Sequence, residues 1–571
     1  MRRWVRVSSP AVAFHGSART LSSTMKNQRQ KKAPSILSNN INSSDNNKKF
    51  YLETFGCQMN VSDSELVDSI LRDAKFKRTE VAEEADVILT NTCAIRDNAE
   101  RKVWHRLNYF KSLKEKRGSP KNKNYKNLSI GVLGCMAERI STKILEESSA
   151  SFVCGPDAYR SLPDLIESTS SSSSQKAANI QLSLEETYAD IQPIRKASST
   201  EAFVSIMRGC NNMCSYCVVP FTRGRERSRP FTSILDEVKM LSSSGVKEIV
   251  LLGQNVNSYH DVSDESKQKF PFTSYATAEG FSNIYKSRNG AGARFADLLD
   301  MVSLVDPEMR IRFTSPHPKD FPIEVLQLLH DRPNICSSLH LPAQSGNTTV
   351  LSRMRRGYSR EAYIELVERS RSMIPGVSIS SDFISGFCGE TEEQHFDTIS
   401  LMKQIRFDQA YMYAYSLREK TNAAYNYQDD VPEQIKQRRL REVIDTFREM
   451  AQEKNDAEVV GRIQLCLVDG MAKKSTPEDP VFSARTDSNK RILFPANQVP
   501  NLMTSSHAFG VDHEGSLSSY ISNSQSVLEQ IMQGEYVVCM VTEARGHVLR
   551  GEAICKTSIQ HFETIKHLDG M

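Results

Sequence analysis

The chain has 571 residues, 25% of them charged and 39% apolar, the balance of an ordinary globular protein with length for about two to four domains. No apolar run reaches the length of a membrane-spanning helix, so no membrane partner is expected. The net charge of +4 hides an asymmetry: residues 1–49 hold ten Lys/Arg against Asp45 alone, which leaves the remainder at −5, so nucleic acid would have to be met by local basic patches.

In chain order, residues 1–44 lack acids and mix Arg with Ser, Ala, Val, Trp4 and Phe14, the composition of a mitochondrial transit peptide. Met25 offers a second start, and with it a form in the cytosol or nucleus. A disordered lead-in to residue 48 is expected.

Residues 49–167 read as an open parallel α/β domain. Strands are predicted over 50–55, 86–90 and 128–133, with helices over 62–74, opened by Ser62 or Asp63 as cap, and over 98–113. Each strand delivers one cysteine just past its C-terminal end: Cys57, Cys93 and Cys135. That edge of a parallel sheet is where ligand sites assemble. One such thiol is by default a core residue, but the repetition predicts a three-thiolate site.

Residues 168–200, with the serine run 168–174, are expected to be a linker. Residues 201–458 follow as a second βα series. Its strands fall at 203–207, 248–252, 310–313, 337–341, 378–383 and 409–415, with helices between them and a long charged helix over 432–458. Six units make a partial (β/α)6 barrel, with a mobile insertion at 261–293. Residues 459–560 carry short strands at 463–468, 491–494, 536–541 and 549–554, the pattern of a small antiparallel barrel with an inserted loop at 497–530.

Twelve cysteines over this length are too sparse for a secreted disulfide framework and point to reduced thiols, several of them metal ligands. Three stand at Cys210, Cys214 and Cys217. The Cys-x3-Cys-x2-Cys spacing offers a cubic iron–sulfur cluster three thiolates and leaves one iron open, the mark of a reactive cluster. Zinc wants four closed ligands, and no fourth Cys or His lies close by in sequence.

These motifs resemble the radical S-adenosylmethionine (SAM) methylthiotransferase family, most closely its MiaB-type branch that acts on transfer RNA. The segments carrying the resemblance are Glu-Thr-Phe-Gly-Cys-Gln-Met-Asn (53–60), Asn-Thr-Cys-Ala-Ile-Arg (91–96), Gly-Cys-Met-Ala (134–137), Arg-Gly-Cys-Asn-Asn-Met-Cys-Ser-Tyr-Cys (208–217), Gly-Arg-Glu-Arg-Ser-Arg-Pro (224–230), Leu-Gly-Gln-Asn-Val-Asn-Ser-Tyr (252–259) and His-Leu-Pro-Ala-Gln-Ser-Gly (340–346). Gln58, Met59, Asn60 and Arg96 match the isopentenyladenosine-modifying branch rather than its threonylcarbamoyl or ribosomal-protein relatives.

The resemblance implies a radical SAM barrel followed by a TRAM domain, an RNA-binding module. It also implies two 4Fe-4S clusters, with Cys210, Cys214 and Cys217 holding the one that cleaves SAM. Cys57, Cys93 and Cys135 would hold an auxiliary cluster that presents sulfur. The target, C2 of an adenine in a tRNA anticodon stem-loop, bears a C–H bond without useful acidity, so a cofactor-borne radical is required. An electron donor and a kinase-regulator protein are the further partners implied.

Tyr216 is placed to pack on the SAM adenine, and Gln254, Asn255, Gln344 and Asp382 to meet its ribose and amino acid ends; core packing for Tyr216 and a helix cap for Asp382 are the plain alternatives. His317 and His340 receive no catalytic role. Cys388 stands where the family has Pro and is expected to be structural. Arg223, Arg225, Arg227 and Arg229 alternate after the cluster loop, and residues 101–126 hold ten Lys/Arg against Glu115. Both runs are candidate RNA contacts.

Overall fold

The computed structural model describes residues 48–94, 97–117, 128–170, 176–196, 199–272, 280–281, 290–504, 521 and 526–566. The expected transit peptide, Met25, Arg96, residues 273–279 and 282–289 of the first insertion and 505–520 and 522–525 of the second lie outside the described residues.

The first domain is a six-stranded, all-parallel sheet in the spatial order Lys77–Arg78, Lys49–Thr54, Val87–Thr92, Ser129–Gly134, Phe152–Cys154 and Ala177–Asn179. Val87–Thr92 and Ser129–Gly134 are buried along their whole length, as strands covered on both faces must be. Two apolar clusters form the cover. One gathers round Phe50, Leu89 and Phe152, the other round Ile88, Phe110 and Val132.

Two sequence expectations change here. The first helix runs Gln58–Asp73 with Cys57 as its N-cap, so Asp63 lies inside the helix rather than capping it. Of the expected linker 168–200, residues 168–170, 176–196 and 199–200 are described, and they are not free chain. Leu162–Ser170 is helical, Ala177–Asn179 is the sixth strand, and Tyr188 is buried in the domain's core. The serine run drew attention from short elements that only tertiary packing stabilises.

The second domain holds six parallel strands in two groups of three. Glu201–Ser205, Glu248–Leu252 and Arg310–Phe313 form one; Ser338–His340, Ser378–Ser385 and Gln409–Ala414 form the other. A parallel bridge between Ile311 and Ile335 joins them into a single arc. Because side chains alternate, Val204, Ile249, Ile311, Leu339, Ile379 and Met412 face the helices in one large core. Their neighbours Phe203, Val250, Arg312, His340, Ser380 and Tyr411 take the opposite, inner face of the arc.

The third domain is a closed five-stranded barrel in the order Ile463–Met471, Val481–Thr486, Arg491–Pro495, Val548–Lys556 and Tyr536–Arg545. The strand Val481–Thr486 escaped the sequence pattern because Ser483, Arg485 and Thr486 dilute its apolar content. This barrel docks on the N-terminal ends of the arc. Arg310 donates to the carbonyls of Arg485 and Leu465, Arg312 to those of Asp487 and Thr486, and Tyr536 to those of Lys247 and Glu308. Cys210, Cys214 and Cys217 follow the arc strand Glu201–Ser205 and so lie toward the opposite, C-terminal rim.

Candidate functional site

Cys57, Cys93 and Cys135 follow three neighbouring strands, so the sheet order alone sets them side by side. Local chemistry then draws their loops tight. The side-chain amide of Asn60 donates to the Thr92 carbonyl at 3.0 Å, and its oxygen accepts from the Cys57 backbone N–H at 3.3 Å. Asn91 donates back to the Asn60 carbonyl at 2.9 Å.

Gly56 and Gly134 both adopt left-handed backbone, with φ of 132° and 86°. A Cβ on Gly134 would come within 2.4 Å of Asn91 Oδ1 and 2.7 Å of the Thr92 carbonyl, so the approach of the three loops needs glycine. Gly134→Ala is expected to displace Cys135 and to lower the iron retained after anaerobic reconstitution by at least half. Metal analysis of the purified variant checks this.

The thiols are not equivalent. A hydrogen bond from Cys93, opposed by burial and aided by the positive charge of Arg223, holds Cys57 down at about 6. Burial pushes Cys135 up, with Arg223 pulling the other way.

In the second set, Cys210 follows the short strand Met207–Arg208 and Gly209, whose φ of 75° and missing Cβ let the loop close on the Arg225 carbonyl. Cys210 and Cys214 are buried, and Cys217 is half-buried. Cys210 accepts from the Asn212 backbone at 3.4 Å, and Cys214 faces Arg356 Nη1 at 3.5 Å and His317 Nε2 at 3.9 Å. Burial and then mutual repulsion push Cys210 well up, and burial with repulsion from Cys214 pushes Cys217 up to about 12.

Cys210 and Cys217, pushed up by burial and by neighbouring thiols, would need cationic iron to hold them as thiolates, so the donor set fits a cluster. Among the described residues, no three His, Cys, Asp or Glu side chains gather round a single metal ion; a cluster instead spreads its thiolates over several irons.

The proposed SAM residues separate into two kinds. Gln254 Nε2 and Oε1 and Gln344 Oε1 are buried without partners, which fits a polar ligand at the strand ends. Asn255 is already engaged: it donates to Asp320 at 2.9 Å and accepts from the His317 backbone at 3.1 Å, so it fixes the loop. Asp382 lies within a strand, not after one, so the cap alternative falls. Its carboxylate meets His340 Nε2 at 3.2 Å. Tyr216 packs on the cluster of Met354, Phe387, Cys388 and Tyr415, and its hydroxyl faces Arg356 at 3.4 Å. Cys388 is buried in that cluster, as a structural residue is.

The two cysteine sets meet. Val218, next to Cys217, packs directly on Ala94 and Cys135. Around this contact runs a buried ion-pair network. Arg223 donates Nε to Cys135 Sγ at 3.1 Å and Nη2 to Asp63 at 2.6 Å. Arg208 takes the other Asp63 oxygen at 2.9 Å, and Arg227 pairs with Asp157 at 2.8 Å. Arg229 is tied to Glu237 and Ser233.

Three of the four arginines expected to face RNA are thus buried and committed to carboxylates, and Arg225 alone is exposed. In the second basic run, Arg106 pairs with Glu53 and Arg117 donates to the Ala85 carbonyl, while residues 118–127 lie outside the described residues. Arg208 was missed by the sequence reading, since nothing in its neighbourhood marks a partner some 145 residues earlier.

Comparison with known proteins agrees with this two-part arrangement. Residues 49–155 match the model of the uncharacterized protein family UPF0004, and residues 204–402 match the radical SAM superfamily. The mitochondrial tRNA methylthiotransferase CDK5RAP1 of Homo sapiens is 49% identical over 529 residues, covering 90% of this chain and 82% of that protein. A CDK5RAP1-like protein of Oryza sativa is 50% identical over 521 residues with the same coverage. A tRNA-2-methylthio-N(6)-dimethylallyladenosine synthase of Chloroherpeton thalassium is 46% identical over 452 residues, 79% of this chain and 90% of that one. With both cysteine sets in place at one interface and identity of this order along nearly the whole described chain, the protein belongs to the MiaB-type radical SAM methylthiotransferase family.

Proposed function

We propose that the protein adds a methylthio group to C2 of N6-isopentenyladenosine next to the anticodon, chiefly in mitochondrial tRNAs. The observation that carries this reading is the meeting of two three-cysteine sets across one interface, Val218 against Cys135. The names of the similar proteins, which specify tRNA, the mitochondrion and dimethylallyladenosine, support it.

When bound, two iron–sulfur clusters and SAM would supply the radical, the sulfur and the methyl group, with an external electron donor completing the set. Cys210, Cys214 and Cys217 would hold one cluster, and Cys57, Cys93 and Cys135 the other. Gln254 would offer both atoms of its amide and Gln344 its oxygen to SAM, and Arg356 and Asn255 hold the surrounding loops in place. Bringing the sets together shortens the path along which a base must be presented to radical and sulfur in turn.

A splayed-out loop base needs an aromatic face. The strand Gln409–Ala414 sends Ala410 and Met412 onto the helices and turns Tyr411 and Tyr413 to the inner face, where both are exposed. The Tyr411 ring meets that of His340 edge-on at 5.9 Å. Tyr411→Ala and Tyr413→Ala are each expected to weaken anticodon stem-loop binding by about 1–3 kcal/mol, the worth of a base–aromatic stack. Titration of a labelled stem-loop reads the change.

The function itself is tested by nucleoside mass spectrometry on tRNA from cells lacking the protein, with mitochondrial and cytosolic tRNA analysed apart. Loss of 2-methylthio-N6-isopentenyladenosine from the mitochondrial pool is expected. Its persistence at the normal level, or loss of methylthio-threonylcarbamoyladenosine instead, would refute the assignment.

A further inference from the structure

We infer that Arg223 is a positioning residue that tunes the auxiliary cluster from the neighbouring domain, stabilising its reduced, more negative state through a hydrogen bond to the ligand sulfur of Cys135. The inference rests on the reading of Cys57, Cys93 and Cys135 as a cluster site.

The geometry is specific. Arg223 belongs to the barrel domain, six residues after Cys217 and directly after the short helix Val219–Thr222, yet its Nε donates to Cys135 at 3.1 Å. One short segment thus carries the last thiol of one set and the cation that serves the other. The side chain is only 3% exposed, so solvent screens its charge little. Its Nη1 is buried and lacks a hydrogen-bond partner. A buried guanidinium with an unused donor is costly unless an anion is present to receive it.

Nearby carboxylates are already shared. Asp63 serves both Arg208 and Arg223, and Asp157 serves both Arg208 and Arg227. Three guanidiniums thus divide two carboxylates, with positive charge turned toward the thiols. Hydrogen bonds to sulfur and net local charge are the main means by which a protein sets a cluster's potential.

The competing account is that Arg223 merely clasps the two domains through Asp63. Substitution of the two partners tells the accounts apart, because charge tuning moves the potential in opposite directions while a lost clasp does not. The full chain carrying Cys210→Ala, Cys214→Ala and Cys217→Ala would be reconstituted anaerobically, leaving about four irons at the auxiliary site. Its midpoint potential would then be read by dithionite titration followed by electron paramagnetic resonance.

Arg223→Gln is expected to lower the potential by at least about 59 mV, a tenfold change in a one-electron equilibrium. Asp63→Asn, which keeps the cation and removes the acid, should raise it, and Arg223→Lys should fall between Gln and the parent. If Arg223→Gln alone holds no iron, Arg223→Lys decides: a potential below the parent's supports the inference and an equal one overturns it. If Asp63→Asn alone holds no iron, the Arg223→Gln shift decides in the same way. With iron retained, an unchanged potential or shifts of the same sign would overturn it, as would loss of iron in all three variants. A parent that binds no iron at this site would instead defeat the cluster reading itself.

Discussion

Joint replacement of Cys210, Cys214 and Cys217 by Ala is expected to abolish SAM cleavage and to halve the iron, from about eight to about four per chain. The reason lies in the loop. Burial and repulsion from neighbouring thiols work against the charged forms of Cys210 and Cys217, so bound iron would be what holds them as thiolates. His317 faces Cys214 with Nε2 at 3.9 Å, and one imidazole cannot stand in for three thiolates. Anaerobic reconstitution followed by iron assay and chromatography of 5′-deoxyadenosine measures both effects. Undiminished cleavage would sink the assignment of this site.

A large loss of stability is expected from Asp408→Ala. Asp408 is 4% exposed and accepts three hydrogen bonds or ion pairs, from Lys454 at 2.8 Å, Lys490 at 2.9 Å and the Ile379 backbone at 2.9 Å. Lys454 comes from the long helix Glu433–Glu458 and Lys490 from the C-terminal barrel, so one carboxylate ties three parts of the chain together. Although burial pushes its carboxyl upward, Lys490 and Lys454 hold it below the usual carboxylate range.

Its deletion removes the buried carboxylate between two ammonium groups, leaving Lys490 to Asn455 and Lys454 to Glu458 at 3.9 Å, a loss of about 3–5 kcal/mol. Because the folded pKa is depressed, the stabilisation is present above the unfolded value and is lost as pH falls through the folded one. Thermal melts from neutral pH into acid should therefore show the variant melting well below the parent at neutral pH and converging with it in acid. Equal melting at neutral pH would contradict this account.

Much of the site was legible because strand ends are marked in sequence. Cys57, Cys93 and Cys135 each follow an apolar run and stand at or next to a glycine or polar break, and a parallel sheet needs no further information to line such positions along one edge. The arginine run after Cys217 was misread for the opposite reason. Alternating charges on a short segment are usually solvated. Burial of Arg223 and Arg227 depends on Asp63 and Asp157, which lie in the N-terminal α/β part and carry no local sign of the partnership, while Arg229 is paired with Glu237. Asp63 even looked like a helix cap, since the true cap, Cys57, is a residue type seldom found there. Short strands such as Phe152–Cys154 fell below the length at which periodicity speaks.

The docking of the C-terminal barrel has a last consequence. It occupies the starts of the arc's strands, whereas Cys210, Cys214 and Cys217 lie beyond the end of the arc strand Glu201–Ser205. Six-residue strands such as Gln409–Ala414 keep these two ends about 17–20 Å apart. A free nucleoside is too small to touch both at once; a folded hairpin is not. Strand length thus sets the smallest partner that can touch both ends of the arc at once.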